Sequence, residues 1–468
     1  MTPAHRRPGE PHKPREPRAG RGPRAGRPSS DAARQGAYEV IAAVHRDDAY
    51  ANLVLPAVLR DLGLVGRDAA FATELAYGAL RATGTLDAIM AAGAGRDVAR
   101  IDPPVRDALR LGAYQLLYTR VPAHAAVSST VDLVRAVAPG AIGFANAVLR
   151  RVAGQPLDDW LAELAPAYGT DPVGHLALVH SHPQWIVRAF ADALDGDLTE
   201  TAAALAADNE RPSVQLCARP GRISAAELAA QAGGVVGQWS PFAVTMAGGS
   251  PGDLPAVRSG AAHVQDEGSQ LVTAALVDAP LDGPDAAWLD LCAGPGGKAG
   301  LLGALAAARG AVVTAVEVSE HRARLVGLTT RGLPVEVVQA DGRTVDGSFD
   351  RVLVDAPCTG LGALRRRPEA RWRRQPSDLP PLTKLQRELL GAALRVVRPG
   401  GVVGYVTCSP HLAETRVTIG RAASTVDPLD ARELLPAGMP GLGDGPAVQL
   451  WPHRHGTDAM FLSLLRRP

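Results

Sequence analysis

From Pro251 onward, apolar runs that read as strands alternate with helical runs, and this alternation limits the fold more than any other feature of the chain. "AAWLDLCAG", "AVVTAVEV", "PVEVVQAD", "FDRVLVDAP" and "GGVVGYVTC" are separated by helical stretches over 298–309, 319–332 and 382–397. Such alternation predicts a doubly wound α/β sheet. Ligands of these sheets bind beyond the carboxyl ends of the strands. The residues at those ends are therefore the ones to read for chemistry.

After the first strand comes "LDLCAGPGGKAG", Leu289 to Gly300. Gly294, Gly296 and Gly297 there let the backbone turn tightly and approach a ligand closely. The loop lacks GxxxxGK[ST], so it is not a phosphate-cradling Walker loop. The next three strands end in Glu317, Asp341 and Asp355. One strand-end acid is usually a cap or a solvated loop residue. Three at successive ends favour a neutral or cationic nucleoside and would repel a polyphosphate. S-adenosylmethionine fits this set best. NAD fits less well, because "GPGGKA" follows the GxGxxG fingerprint poorly.

Two more strand ends carry thiols, Cys358 in "VDAPCTGLG" and Cys408 in "GYVTCSPH". Both ends face the ligand crevice, so the two cysteines are expected to lie close together. A thiolate that adds to carbon-6 of a pyrimidine makes carbon-5 nucleophilic, which splits one hard methyl transfer into easier steps. Cys217 and Cys292 read instead as small buried hydrophobes. With no CxxC pair, neither zinc nor a disulfide framework is indicated, and no metal is expected. Free thiols in the chemical loops suit a reducing cytosol, so a cytoplasmic protein is expected.

Upstream the composition changes. Residues 1–30 are Pro, Gly and Arg with almost no apolar side chains, and should be a disordered basic tail. Residues 31–165 show apolar positions three and four apart and predict an all-helical domain. Residues 166–250 mix helical and short alternating segments, as in a small α+β connector. The α/β domain then covers 251–468. Net charge is +1, which does not by itself indicate a nucleic-acid partner. No apolar run is long enough to span a bilayer, and no membrane association is expected.

"LDLCAGPGGKA", "AVEV", "QADGR", "VDAPCTGLGALRRRPEARW", "GYVTCSP" and "HGTDAMF" resemble, in order, the motifs of the RsmB/NOP (Sun) family of RNA 5-methylcytosine methyltransferases. "HVQDEGSQL" looks like the segment preceding that family's catalytic fold. "ELAYGALR", "RLGAYQLLY", "VPAHAAV" and "GFANAVLRR" resemble the NusB-type RNA-binding domain of its bacterial branch. The resemblance implies a Rossmann-like methyltransferase domain using S-adenosylmethionine. It implies cofactor contacts from Cys292, Ala293, Gly294, Pro295, Gly296, Gly297 and Lys298, and from Glu317, Asp341 and Asp355. It makes Cys408 the nucleophile and assigns Cys358, with Asp355, to product release. The family often has Ala where Gly294 stands and commonly Asp where Glu317 stands. Its PEEN segment is here "LAET", in which Glu414 matches the second acid and Thr415 replaces the Asn.

"RRRPEARWRR" follows the Cys358 loop and suggests an RNA surface. Arg365, Arg366, Arg367, Arg371 and Arg373 are expected to hold phosphates, and Trp372 to stack on a splayed base. Arg120 and Leu149–Arg151 suggest further phosphate contacts. The expected activity is methylation of carbon-5 of a cytosine in small-subunit rRNA by a monomer. The alternatives are the same chemistry on another RNA such as tRNA, or a noncatalytic NusB-like RNA-binding or antitermination factor.

Overall fold

The strand-like runs do form one sheet, and its order explains why their ends converge. In the computed structural model, which describes residues 32–422 and 425–468, the strands are β5 (Ala287–Asp290), β6 (Val312–Val316), β7 (Val335–Val338), β8 (Phe349–Asp355), β9 (Val397–Thr407), β10 (Asp427–Leu429), β11 (Val448–Gln449) and β12 (Phe461–Arg466). They assemble in the order β10-β12-β9-β8-β5-β6-β7, with β11 paired to β12. From β9 to β7 the pairing is parallel, and β12 runs antiparallel to β9. The chain runs outward from β5 through β6 to β7, then returns to lay β8 against the other side of β5. That reversal puts a topological switch point between β5 and β8, where ligands of such sheets sit.

Helices Gly297–Arg309, Glu320–Thr329 and Leu379–Val396 connect these strands, within three residues of the expected bounds. Near-continuous Val and Leu in β8 and β9 reflect burial on both faces. Trp288, Leu353, Val402 and Leu464 pack one face, and Leu289, Val354, Tyr405 and Leu390 the other.

The N-terminal part is all helix, from Ala32–Arg46 to Leu157–Leu164. Its core includes Ile41, Leu75, Leu86, Leu109, Leu149 and Trp160. Gly112 allows close packing between helices, since a Cβ there would stand 2.7 Å from Thr130 Cγ2 and 2.8 Å from Leu149 Cδ2. The expected tail, 1–30, lies outside the described residues.

Between bundle and sheet, helices Pro172–Val179, Gln184–Ala193 and Leu198–Ala207 share a core with Leu361, Leu364 and Trp451 of the α/β unit. A separate four-stranded antiparallel sheet follows, in the order β2-β3-β1-β4. Its strands are β1 (Gln215–Ala218), β2 (Val235–Val236), β3 (Ala243–Thr245) and β4 (Ala262–Val264). Because β4 pairs with β1, the small sheet extends past residue 250, where the connector was expected to end. The three-residue β4 is too short to carry a periodic signal of its own.

Candidate active site

The loop after β5 is shaped by backbone bonds before any ligand is considered. Ala293 N donates to Val316 O at 2.9 Å, tying the loop to β6. Gly296 adopts φ +110°, and a Cβ there would stand 3.0 Å from Val326 Cα. Gly297 O lies 3.0 Å from His263 Nε2, within "HVQDEGSQL". Lys298 then turns its ammonium to Asp355 Oδ2 at 2.9 Å. Cys292 sits at the base of the loop, with its thiol pushed up by burial.

Glu317 is buried and clasps that loop. Its Oε2 accepts from Gly294 N at 3.1 Å and its Oε1 from Ser319 N at 2.9 Å. Asp341 lines the same cleft, held below the usual carboxylate range chiefly by hydrogen bonds from Arg343. Val318 is 64% exposed beside Glu317 and gives the cleft an apolar shelf. Asp290, fully buried at the end of β5, has an Oδ2 without a partner. Burial, then repulsion from Asp355, pushes its carboxyl up to about 7. An apolar shelf, a clasped glycine loop and acids on both sides suit an adenosine bearing a positive charge, so these residues fit S-adenosylmethionine.

The two thiols meet in this cleft of about 580 Å³. Cys358 Sγ and Cys408 Sγ are 3.5 Å apart. Their loops are stitched together at Gly362, whose N donates to Cys408 O and whose O accepts from Ala459 N, both at 2.8 Å. A Cβ at Gly362 would stand 2.9 Å from Cys408 O, so a side chain would force the loops apart. Behind the thiols, buried Glu414 accepts from Thr359 N at 2.8 Å, from Thr359 Oγ1 and from Gln386 Nε2 at 3.1 Å. Thr415, in place of the family's Asn, closes a turn by donating to His411 O at 3.0 Å.

This frame makes the two thiols unequal. Either sulfur can donate in this contact; with Cys358 as the donor, the bond lowers the Cys408 pKa below the ordinary thiol value, with Lys298 assisting and burial and Asp355 opposing. The same bond, then burial, holds Cys358 well above the ordinary value, and Glu414 adds to that. Burial opposes the charge on Lys298, but Asp355 outweighs it and the ammonium is held above its usual value.

The arginine run is not the RNA surface that was expected. Arg365 and Arg366 bond to Asp266 and Asp458 inside the α/β unit. Arg371 is fully buried and donates to Arg81 O, Ser181 O, Asn209 Oδ1 and Asp208 O. Trp372 lies against Gly84 of the bundle yet remains 36% exposed. Arg373 donates to Val44 O and Ala49 O. The run is mostly a joint whose acceptors come from distant parts of the chain, so charge density alone misreads it. Arg367 remains exposed at the cleft. Arg120 is also exposed, whereas Arg151 donates to Gly93 O at 3.0 Å.

Sequence reasoning passed over Asp290 and Tyr50. An acid inside the apolar run "AWLDL" is a usable signal for Asp290. Tyr50 carried none.

The family model described as 16S rRNA methyltransferase RsmB/F matches residues 275–466, and that of the NusB family matches residues 31–154. A putative methyltransferase of Mycobacterium tuberculosis is 60% identical over 442 residues, covering 93% of this chain and 97% of that one. A probable ribosomal RNA small subunit methyltransferase B of Bacillus subtilis is 30% identical, covering 93% and 99%. The crystal structure of PH0851 shares the fold with a TM-score of 0.75 at 22% identity, covering 92% of this chain and 98% of that one.

Proposed function

The chain belongs to the 16S rRNA methyltransferase RsmB/F family, and from that premise we propose that it methylates carbon-5 of a cytosine in small-subunit ribosomal RNA. The observation that carries this reading is the pair of thiols 3.5 Å apart, one favoured as thiolate, beside the clasped glycine loop. S-adenosylmethionine is the cofactor, and when bound it supplies a methyl group on a sulfonium. Cys292 to Lys298, Glu317, Asp341 and Asp355 are the residues to hold it.

The chain's own residues do the rest. The Cys408 thiolate adds to carbon-6 of the cytosine, and the electron pair displaced toward carbon-5 would form the new bond to the methyl carbon as the methyl's bond to the sulfonium sulfur breaks, leaving its electron pair on sulfur. Lys298, held charged by Asp355, favours the Cys408 thiolate before attack, whereas the Asp355 carboxylate itself opposes it. Once Cys408 is bonded to carbon-6, the negative charge that held Cys358 protonated is gone. Cys358 then loses its own proton to solvent and, as the thiolate, takes the carbon-5 proton. The electrons of that C–H bond restore the ring double bond, and the Cys408–carbon-6 bond breaks to return the thiolate. The target base must be unpaired or flipped out to reach the thiols. A noncatalytic RNA-binding factor would have no use for this thiol pair.

Bisulfite sequencing of ribosomal RNA from strains with and without the gene tests the assignment. One protected small-subunit cytosine is expected to lose protection. Loss in tRNA instead redirects the substrate, and unchanged 5-methylcytosine everywhere overturns the activity. Cys408→Ser is expected to form no protein–RNA adduct, whereas Cys358→Ser accumulates one. The opposite pattern reverses the two roles.

A further inference from the structure

The cleft holding the thiols is not built by the α/β unit alone. Tyr50, from the turn between helices Ala32–Arg46 and Ala51–Asp61, lines it together with Arg322, Arg343, Arg367, Arg373 and Arg374. The turn is fastened in place. Glu369 Oε1 accepts from Ala51 N at 3.3 Å, and Arg373 donates to Val44 O and Ala49 O. The guanidinium carbons of Arg367 and Arg373 lie 5.4 Å and 5.3 Å from the centre of the Tyr50 ring.

These arginines differ in what already engages them. Arg322 donates to Gly294 O and faces Glu317. Arg343 bonds to Asp341 and Glu388. Arg373 serves the two carbonyls of the turn. Arg374 donates to Thr359 O at 3.0 Å, just past Cys358. Arg367 is exposed and, among the described residues, its guanidinium makes no hydrogen bond or ion pair; what holds the side chain is the Tyr50 ring. A cation–π contact fixes a guanidinium without using its N–H donors. All five donors of Arg367 stay available for an oxyanion at the cleft mouth.

We infer that Arg367, held in place by Tyr50, binds a backbone phosphate of the RNA next to the target nucleotide. The inference rests on the RNA-methylating reading of the same cleft. It gives the helical bundle a part in that cleft, because Tyr50 is a positioning residue for a phosphate contact made by the catalytic unit. The target base and its neighbouring phosphate are then set by groups from two ends of the chain. Arg374, bonded to the Cys358 loop, lines the same cleft.

The test uses the full-length protein and an unmodified transcript of small-subunit rRNA. Binding is measured against salt concentration for wild type, Arg367→Gln, Tyr50→Ala and Tyr50→Phe. Loss of one phosphate contact is expected to reduce the slope of log affinity against log salt by about 0.7 in Arg367→Gln. Tyr50→Ala should lose part of the slope, and Tyr50→Phe, which keeps the ring, should restore it. In methyl transfer, KM for RNA should rise roughly tenfold in Arg367→Gln, with kcat changing less. A wild-type slope in Arg367→Gln overturns the inference. So does a weakened S-adenosylmethionine Kd with an intact RNA slope, which would assign Arg367 to the cofactor's carboxylate. A wild-type slope in Tyr50→Ala removes Tyr50 from the site. If the wild type binds RNA yet methylates no cytosine, the proposed activity fails while the slopes still decide the phosphate contact.

Discussion

Gly294 and Glu317 are fitted to each other. The Gly294 N–H donates to Glu317 Oε2 at 3.1 Å, and a Cβ at 294 would stand 2.2 Å from that same oxygen. A longer acid has taken the space that a side chain at 294 would need. The two departures from the family pattern, Gly for Ala and Glu for Asp, therefore read as one compensated change. Gly294→Ala alone should push the carboxylate off its two backbone donors and weaken S-adenosylmethionine binding. Gly294→Ala with Glu317→Asp should recover much of the loss. Calorimetry on the four proteins is expected to give a coupling of about 0.5–3 kcal/mol. Additive losses would mean the pair is not coupled.

The inequality of the thiols predicts a pH dependence. The S–H of Cys358 stabilises the Cys408 thiolate, so removing that donor must raise the Cys408 pKa. In Cys358→Ala, the pH profile for alkylation of Cys408 by iodoacetamide should move to higher pH. Lys298→Met should move it the same way, because a nearby positive charge is lost. Mass spectrometry of the Cys408 peptide reads both shifts. A Cys358→Ala profile that overlays wild type would show that the hydrogen bond does not set the reactivity.

These sites differ in how far the sequence announced them. β5 to β9 were legible because each strand carries an apolar stretch ending near an acid, a glycine loop or a thiol, and parallel topology brings those ends together. The meeting of Cys358 and Cys408 followed from that rule. The arginine run was misread because its acceptors, Asp266, Asp458, Asp208 and Asn209, lie 92 or more residues away in the chain. Local charge density cannot distinguish a solvated face from a buried joint. Tyr50 was illegible for a similar reason. It reaches the cleft through the docking of one folded unit on another, and no local pattern encodes that.

Asp290 predicts a stability change with pH. Its carboxyl is pushed up to about 7 in the folded chain, against about 4 when unfolded. Between those values the folded state binds more protons than the unfolded state, so stability falls as pH rises, by at most about 1.4 kcal/mol per unit from this group. The stabilising effect is fully present below about pH 4 and lost as pH rises through about 7. Asp290→Asn keeps an acceptor for Cys292 N but has no charge to bury. Its denaturant midpoint should gain on wild type more at pH 8 than at pH 5. An equal difference at both values would mean that Asp290 does not titrate in this window.

Arg371 separates a structural joint from an RNA contact. Its guanidinium donates to Arg81 O at 3.1 Å, Ser181 O at 3.3 Å, Asn209 Oδ1 at 2.6 Å and Asp208 O at 2.7 Å. It thereby ties the catalytic unit to the bundle and to the helices between them. Burial lowers its pKa to about 10, which still leaves it charged at neutral pH. Arg371→Ala strips four buried acceptors of their donor, a loss on the order of 3–5 kcal/mol. Arg371→Lys keeps the charge but lacks the planar fork that reaches partners on both sides, so it should rescue little. Both variants should melt earlier and open new protease sites between residues 154 and 215. Their RNA-binding salt slope should match wild type, unlike that of Arg367→Gln, because a fully buried guanidinium meets no phosphate. A reduced slope with unchanged melting would return Arg371 to the RNA surface.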